Sequence, residues 1–242
     1  MKTGVLFIHG YTGAPYEVEP FVDYVKQHTD WVVSVVTLPG HGEELELQEM
    51  LAEDWTMEAE IAIRKLMPQV DRLYVVGFSM GGLIAMYLSL RYPVERLVLL
   101  SAAAKYIAPG QMLQDIKEIA VDLLKKQADQ NPVYMRYRQK AGKTPIRSAF
   151  QFTRVLKLVE PYYSKITIPV CLVQGKKDGI VPFQAAEYLY EQLGSEEKEL
   201  IYSDCGKHHI CYSDDCDEWF PKALAFLEKP IEMPTEMETH TT

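Results

Sequence analysis

Six short runs of apolar and β-branched residues recur along the chain, and each has the length of one buried strand. Runs that are apolar on both faces, rather than alternating with polar residues, are typical of strands inside a parallel sheet. They are Thr3–Ile8, Trp31–Thr37, Leu73–Phe78, Arg96–Ser101, Ile168–Gln174 and Leu200–Tyr202. The pattern therefore predicts six strands that are buried on both sides.

Stretches with helical spacing of their apolar residues lie between these runs. They are Tyr16–His28, Asp54–Met67, Met80–Arg91, Phe183–Leu193 and, last, Asp214–Leu227. Alternating strands and helices imply parallel strands joined by crossovers, and crossovers of one hand place helices on both faces of the sheet. We therefore expect an α/β fold with an open, doubly wound sheet, because six strands are too few for an eight-stranded barrel.

The alternation stops between positions 107 and 163, where a helical pattern continues and no strand is evident. Near the end of this stretch, Thr144 is a predicted N-cap and Pro145 the first helical residue. The helix that follows has an apolar face, formed by Ile146, Ala149, Phe152, Leu156 and Val159. The pattern thus predicts a core of residues 1–106 and 164–228, interrupted by a helical insertion of residues 107–163.

Length and composition favour one domain with a short tail. The chain has 242 residues, of which 48% are hydrophobic, and this is enough to bury one full-sized core. The segment 229–242 contains two prolines, three glutamates and four threonines with little apolar material between them. We expect this tail to be disordered.

Charge, the length of the first apolar run and cysteine content disfavour nucleic-acid binding, membrane insertion and a disulfide framework. A net charge of −9 disfavours nucleic acid, because binding to phosphates requires clustered Lys and Arg. The apolar run Val5–Ile8 is too short for a signal-peptide core or a membrane span, so we expect a cytoplasmic protein that does not insert into membranes. The four cysteines are too few and too unevenly spaced for a disulfide framework, which indicates reduced thiols.

The strongest local motif is a serine flanked by glycines, Gly77-Phe78-Ser79-Met80-Gly81, between a predicted strand and a predicted helix. This is the context of a nucleophile elbow, a strained turn in which a larger residue two positions away would collide with the neighbouring backbone. The motif predicts Ser79 as the nucleophile of an acyl-transfer enzyme.

A serine hydroxyl needs a base and an orienting acid, and both are expected later in the chain. Asp178 follows the fifth predicted strand, at the edge where the carboxyl ends of parallel strands line a crevice. His208 and His209 follow the sixth strand at the same edge. Asp178 is therefore the candidate acid, and the position of the loop leaves the choice between the two histidines open.

The loop after the first strand, His9-Gly10-Tyr11-Thr12-Gly13, is placed to aim a backbone N–H at a developing oxyanion. We predict Tyr11 and Met80 as the N–H donors and expect Gly10 to border the substrate. An oxyanion hole uses backbone donors, so His9 is interpreted as a structural residue that holds the loop. Turn chemistry explains Pro39-Gly40-His41-Gly42, which is expected to shape the rim of the site.

Taken together, these motifs resemble the α/β-hydrolase family, and most closely its small bacterial carboxylesterases and monoacylglycerol lipases. The resemblance covers nearly the whole chain and also includes Trp55. Its members have a histidine followed two residues later by Ile or Val, and His208 with Ile210 matches this spacing, as does the later pair Phe226-Leu227. The resemblance therefore assigns the base to His208.

The resemblance implies a serine carboxylesterase that hydrolyses short- to medium-chain acyl esters, monoacylglycerols among them, through an acyl-enzyme and without a cofactor. It also implies that residues 107–163 form a cap whose side chains, such as Met112, Ile116 and Phe150, cover an acyl-binding crevice. The family's opening antiparallel strands have no counterpart before Thr3, so we expect a trimmed sheet of six parallel strands.

Three alternatives remain. A thioesterase or another acyl hydrolase of the same fold would use the same residues. A ligand-binding protein without catalysis would keep the fold alone, although an apparently intact triad argues against it. A zinc site would draw on Cys205, Cys211, Cys216 and the two histidines, but their spacing does not match the usual metal-binding pairs. Oligomeric state is left open.

Overall fold

A computed structural model describes residues 1–42, 44–104 and 144–230. Its strands are β1 (Thr3–Ile8), β2 (Val32–Val36), β3 (Arg72–Phe78), β4 (Arg96–Leu100), β5 (Val170–Gly175) and β6 (Lys198–Ser203). Its α-helices are α1 (Glu19–His28), α2 (Ala52–Leu66), α3 (Met80–Ser89), α4 (Ile146–Val159), α5 (Gln184–Gln192) and α6 (Cys216–Glu228). The part of the predicted insertion at 105–143 and the tail at 231–242 lie outside the described residues.

The six strands form one sheet in the order β2-β1-β3-β4-β5-β6, and every pairing between them is parallel. The predicted α/β fold with a six-stranded parallel sheet is therefore confirmed. The central strands are apolar on both sides, which is why their sequences read as continuous hydrophobic runs rather than as alternating ones.

Helices cover both faces of this sheet, and successive strand residues serve the two faces in turn. On one face Val5 and Phe7 pack with helices α1 and α6. On the other face Leu6 and Ile8 pack with helices α2, α3, α4 and α5. Each strand side chain is thus buried in one of two apolar layers, and the sheet edge where the strands end is left to carry polar residues.

Several element boundaries differ from the sequence prediction. The first predicted helix is divided into a 3₁₀ turn at Pro15–Glu17 and helix α1, which has a proline in its first turn. Helix α4 begins at Ile146, so Pro145 is its N-cap and not its first helical residue, because Pro145 has an extended backbone with ψ of 142°. Caps depend on the backbone angles of single residues, which residue type alone does not specify.

Helix α4, which the prediction places at the end of the insertion, packs on the hydrophobic core. Four of its five predicted apolar-face residues are buried in the same cluster as helices α2 and α3: Ala149, Phe152, Leu156 and Val159. Ile146, at the start of the helix, is instead 60% exposed. The prediction that this helix packs on an apolar surface holds, and that surface is the hydrophobic core itself.

The parallel arrangement brings the predicted chemistry to one edge of the sheet. His9 follows β1, Ser79 follows β3, Asp178 follows β5 and His208 follows β6. Because all six strands run the same way, the loops that follow them meet at their common carboxyl edge. No helix among the described residues is long and apolar enough to cross a membrane.

The aromatic cluster between α1 and α6 provides a test of the core. The Trp219 ring lies 5.5 Å from that of Phe21 and 4.4 Å from that of Phe220, and Trp219 is 1% exposed. We expect Trp219→Ala to lower the free energy of unfolding by about 3–5 kcal/mol, because it leaves a large cavity. Urea denaturation measures this. The exposed neighbour Lys222→Ala is the control, and its expected change is within about 0.5 kcal/mol.

Candidate active site

The backbone at Ser79 is in a strained conformation, with φ of 52° and ψ of −116°, between the end of β3 and the start of α3. A Cβ added to Gly77 would lie 2.2 Å from the carbonyl oxygen of Gly81, and one added to Gly81 would lie 2.2 Å from that of Ile8. Only glycine fits at these two positions. The predicted elbow geometry is therefore present, and it places the serine side chain above the sheet edge.

Three side chains from distant parts of the chain form a continuous hydrogen-bonded line. His208 Nε2 lies 3.1 Å from Ser79 Oγ, and His208 Nδ1 lies 2.9 Å from Asp178 Oδ2. The Asp178 side chain is fully buried, and Ser79 and His208 are 8% and 7% exposed. A proton on Nδ1 donates to Asp178 and leaves Nε2 free to accept the Ser79 hydroxyl proton.

The surroundings of Asp178 favour the ionised form of its carboxylate. Burial by itself would raise its pKa, but the charge of His208 and the hydrogen bond from it outweigh burial, and the pKa of Asp178 is lower than usual. Two backbone donors assist, since Oδ1 accepts the N–H groups of Ile180 at 2.8 Å and Val181 at 2.9 Å. Gln174 donates to Oδ2 at 3.2 Å. These bonds hold the carboxylate in one orientation toward the imidazole.

Two glycines that the sequence analysis did not single out let the acid and base loops meet. A Cβ added to Gly175, at the end of β5, would lie 2.3 Å from the carbonyl oxygen of Gly206. That same carbonyl accepts the N–H of Lys177 at 2.9 Å. The backbones that carry Asp178 and His208 are therefore in direct contact. In the sequence these are a glycine three positions before Asp178 and one two positions before His208, and only the contact explains them.

The two predicted oxyanion donors are backbone N–H groups of the residue after Ser79 and of the loop that follows β1. Met80 is the first residue of helix α3, where backbone N–H groups have no acceptor within the helix. Across the part of the chain that the structure describes, neither the Met80 N–H nor the Tyr11 N–H has a protein acceptor. Backbone donors without a protein acceptor are what a developing oxyanion requires, so the prediction of these two N–H groups stands as a hypothesis.

His9 holds the loop that carries Tyr11. Its Nε2 accepts the N–H of Leu38 at 3.0 Å, so the proton is on Nδ1, which donates to the carbonyl oxygen of Gly10 at 2.8 Å. The Gly10 carbonyl and the Tyr11 N–H belong to one trans peptide and point in opposite directions. Fixing the carbonyl therefore fixes the direction of the N–H, as expected for a structural histidine.

The side chain of Tyr11 connects this loop to helix α4. Its hydroxyl lies 2.5 Å from Ser148 Oγ, and burial raises the pKa of Tyr11 well above its usual value. Its ring lies 5.5 Å from that of Phe152 and 6.0 Å from that of Trp55. His41, from the predicted rim loop, lies 6.2 Å from the same ring. Sequence analysis missed Ser148, since a serine inside an apolar helix has no motif.

Of the four residues predicted to contact the substrate, the structure describes Gly10 and Phe150. Gly10 lies in the loop after β1, and its N–H donates to Glu17 Oε2 at 2.8 Å. Phe150 is 54% exposed, whereas its neighbour Phe152 packs against Tyr11. Met112 and Ile116 lie outside the described residues. Of the two phenylalanines, Phe152 rather than Phe150 contacts the loop after β1.

His209 pairs with a buried carboxylate other than Asp178. Its Nε2 lies 3.1 Å from Glu17 Oε1, and both side chains are buried. The sequence analysis did not identify Glu17, which lies in no recognisable motif. Between the two histidines, the structure thus brings His208 and not His209 to Ser79.

The cysteines near this loop are spread over different environments. Cys205 is exposed, Cys211 is buried, and Cys216 lies between these extremes. Burial raises the pKa of the Cys211 thiol. Within residues 1–42, 44–104 and 144–230, no group of three or more His, Cys, Asp or Glu side chains is close enough to hold a metal ion.

Several known proteins are similar to this chain over most of its length. A family model described as serine aminopeptidase, S33, matches residues 1–215. A thermostable monoacylglycerol lipase from Bacillus sp. (strain H-257) is 27% identical over 236 residues, which span 93% of this chain and 90% of that protein. A carboxylesterase from Bacillus subtilis (strain 168) is 23% identical, with 93% of this chain and 92% of the relative covered.

A solved structure gives the same picture for the fold. It was reported for LipS and LipT, two metagenome-derived lipolytic enzymes, and it matches this chain with a TM-score of 0.76 at 23% identity. The match covers 95% of this chain and 94% of that one. At this level of identity the likeness establishes the fold alone.

The contact between Gly175 and Gly206 is open to a direct test. We expect Gly175→Ala to lower the free energy of unfolding by about 1–3 kcal/mol, because the added methyl group overlaps a backbone carbonyl that has no space to move. Gly179→Ala is the matched control, since a Cβ there meets nothing within 4 Å. Urea denaturation of both variants decides, and equal stability would contradict the proposed contact.

The lowered pKa of Asp178 predicts how stability depends on pH. The unfolded chain has the ordinary value of 3.8 and takes up a proton more readily than the folded protein. The stabilisation from ionised Asp178 is therefore complete above about pH 5 and is lost as pH falls through the lowered folded pKa. We expect the difference in unfolding free energy between wild type and Asp178→Asn to shrink below that pH in urea titrations. A difference independent of pH would refute this.

Proposed function

This chain belongs to the serine aminopeptidase, S33, family of α/β hydrolases and is an enzyme of the esterase or lipase type, and on that premise we propose that it is a serine carboxylesterase. We propose that it cleaves short- to medium-chain acyl esters, monoacylglycerols among them. The observation that carries the proposal is the hydrogen-bonded line from Ser79 Oγ through His208 to Asp178.

In the first half of the reaction, Ser79 Oγ attacks the acyl carbonyl carbon while His208 Nε2 takes the hydroxyl proton. The carbonyl oxygen becomes an oxyanion and accepts hydrogen bonds from the N–H groups of Tyr11 and Met80. Asp178 stabilises the imidazolium and keeps its Nδ1 proton in place. When the tetrahedral intermediate collapses, the ester C–O bond breaks and His208 returns its proton to the leaving alcohol.

In the second half, a water molecule replaces the alcohol. His208 takes a proton from this water, whose oxygen attacks the acyl-enzyme carbonyl, and the same two N–H groups receive the oxyanion. Collapse then releases the carboxylic acid and restores the Ser79 hydroxyl with the proton from His208. The fixed orientation of all five groups before the substrate arrives is what lowers the barrier, because no dipole has to reorganise during the reaction.

The preference for an acyl chain rests on apolar surroundings and on the relatives. The Tyr11 ring packs against Trp55 of helix α2 and Phe152 of helix α4, so the surroundings of the loop after β1 are apolar. Two relatives bear the names monoacylglycerol lipase and carboxylesterase. We also propose that residues 107–163 form a cap over the crevice, to which Met112, Ile116 and Phe150 contribute.

We expect the wild-type protein to hydrolyse p-nitrophenyl esters and Ser79→Ala to lose this activity. Removing one member of a catalytic triad or one oxyanion donor typically costs about 10² to 10⁴ in rate. His208→Gln should be as inactive as Ser79→Ala, and Asp178→Asn should be less impaired. The measurement is kcat/KM against acyl chains of increasing length, in the presence of a chelator and with folding checked by circular dichroism.

The outcomes separate the alternatives. Undiminished turnover by Ser79→Ala would refute the assignment of the nucleophile. A wild-type protein that cleaves acyl thioesters but not oxygen esters would identify a thioesterase that uses the same residues. Loss of activity on chelation would point to a metal, and no turnover of either class would favour a ligand-binding protein.

A further inference from the structure

A second pair of histidine and carboxylate lies beside the proposed triad and takes no part in the reaction. His209 Nε2 is 3.1 Å from Glu17 Oε1, and the two residues are 2% and 1% exposed. They are separated by 192 positions in the chain and come from different loops. Burying such a pair costs desolvation energy, and apolar residues of the same size would pack as well or better. A role other than stability is therefore worth examining.

The other oxygen of the same carboxylate holds the loop that carries the proposed oxyanion donor. Glu17 Oε2 accepts the N–H of Gly10 at 2.8 Å. Gly10 precedes Tyr11, and His209 follows the proposed base His208. A single buried carboxylate thus connects the loop of the oxyanion donor to the loop of the base.

The loop is shaped around this carboxylate. A Cβ added to Gly13 would lie 1.8 Å from Glu17 Oε2, and one added to Gly10 would lie 3.2 Å from the same atom. The two glycines leave the space that the carboxylate occupies. Their presence is thereby explained by Glu17 and not only by the turn itself.

The hydrogen bonds on Gly10 act on both of its peptide groups. Glu17 fixes the N–H of the peptide that joins residues 9 and 10, and His9 fixes the carbonyl of the peptide that joins residues 10 and 11. The first plane acts on the Tyr11 N–H through the two rotatable backbone bonds of Gly10, so holding both planes restricts the direction of that N–H more than the His9 bond does alone. If Glu17 is removed, only the second plane remains held, and the Gly10 N–H is left buried without an acceptor.

We propose that Glu17, held in place by His209, is a positioning residue for the oxyanion hole. Glu17 acts through Gly10 and keeps the Tyr11 N–H directed at the oxyanion. The contact with His209 holds the Glu17 carboxylate against the loop that carries His208. This inference rests on the proposed esterase function. His209 thereby supports the reaction by holding Glu17 in place, although it acts neither as a nucleophile nor as a base.

The test compares two substitutions of nearly equal size at Glu17. Glu17→Met removes both acceptors, and we expect kcat to fall about 10- to 100-fold while KM changes less than about threefold, because a displaced donor weakens transition-state binding only. Glu17→Gln keeps an acceptor for the Gly10 N–H, and its amide donates to His209 Nε2 when the imidazole proton is on Nδ1. We expect this variant to recover to within about fivefold of the wild-type kcat.

A second measurement separates positioning from a structural role. A trifluoromethyl ketone binds as a mimic of the tetrahedral intermediate, so its affinity for Glu17→Met should fall in proportion to kcat/KM. Glu197→Gln is the control for loss of a carboxylate, since Glu197 pairs with buried Arg96 at 2.8 Å at the opposite edge of the sheet. We expect it to leave kcat and ketone affinity unchanged. If Glu17→Met does not fold, His209→Leu is measured instead, with a smaller kcat loss expected.

The outcomes distinguish this inference from the proposed function. Labelling of Ser79 by a fluorophosphonate and ester turnover are first measured in the wild type. If both are absent, the esterase proposal fails and this inference fails with it. If both are present and folded Glu17→Met matches the wild type in kcat and ketone affinity, the inference alone is overturned. A loss of kcat that only follows the unfolded fraction would overturn it as well.

Discussion

The structure of the site depends on one strained residue. Ser79 has a positive φ of 52° at the junction between the end of β3 and the first residue of helix α3. The strain persists because the surrounding backbone leaves no alternative: Gly77 touches Gly81, and Gly81 touches the end of β1. Two elements of the fold are therefore locked around the serine, and the loops of the other strands are arranged relative to it.

Both buried carboxylates near the serine follow the same physical rule. Asp178 and Glu17 each accept backbone N–H groups with one oxygen and face a histidine with the other. An ionised carboxylate is too costly to bury without such partners. The two pairs differ at the histidine, because His208 hydrogen-bonds to Ser79 Oγ whereas the bond of His209 is to Glu17.

Aromatic packing connects the catalytic edge to the helices that cover it. The Tyr11 ring lies among His41, Trp55 and Phe152, and its hydroxyl pairs with Ser148 in helix α4. A shift of α4 would therefore move the side chain of Tyr11. Helix α4 and the loop after β1 are thus parts of one packed unit.

By itself the sequence determined the class of fold, the six strands and the identity of the serine, because hydrophobic runs and the glycine-flanked motif are local signals. It also placed Asp178 and His208 at the correct edge, since parallel strands all end on the same side. Only the tertiary structure decided that Glu17 pairs with His209, that the backbone of Gly175 contacts that of Gly206, and that Phe152 rather than Phe150 packs against Tyr11. Each of these is a contact between residues far apart in the chain, and no local pattern of residue types records which distant partner a buried side chain will meet.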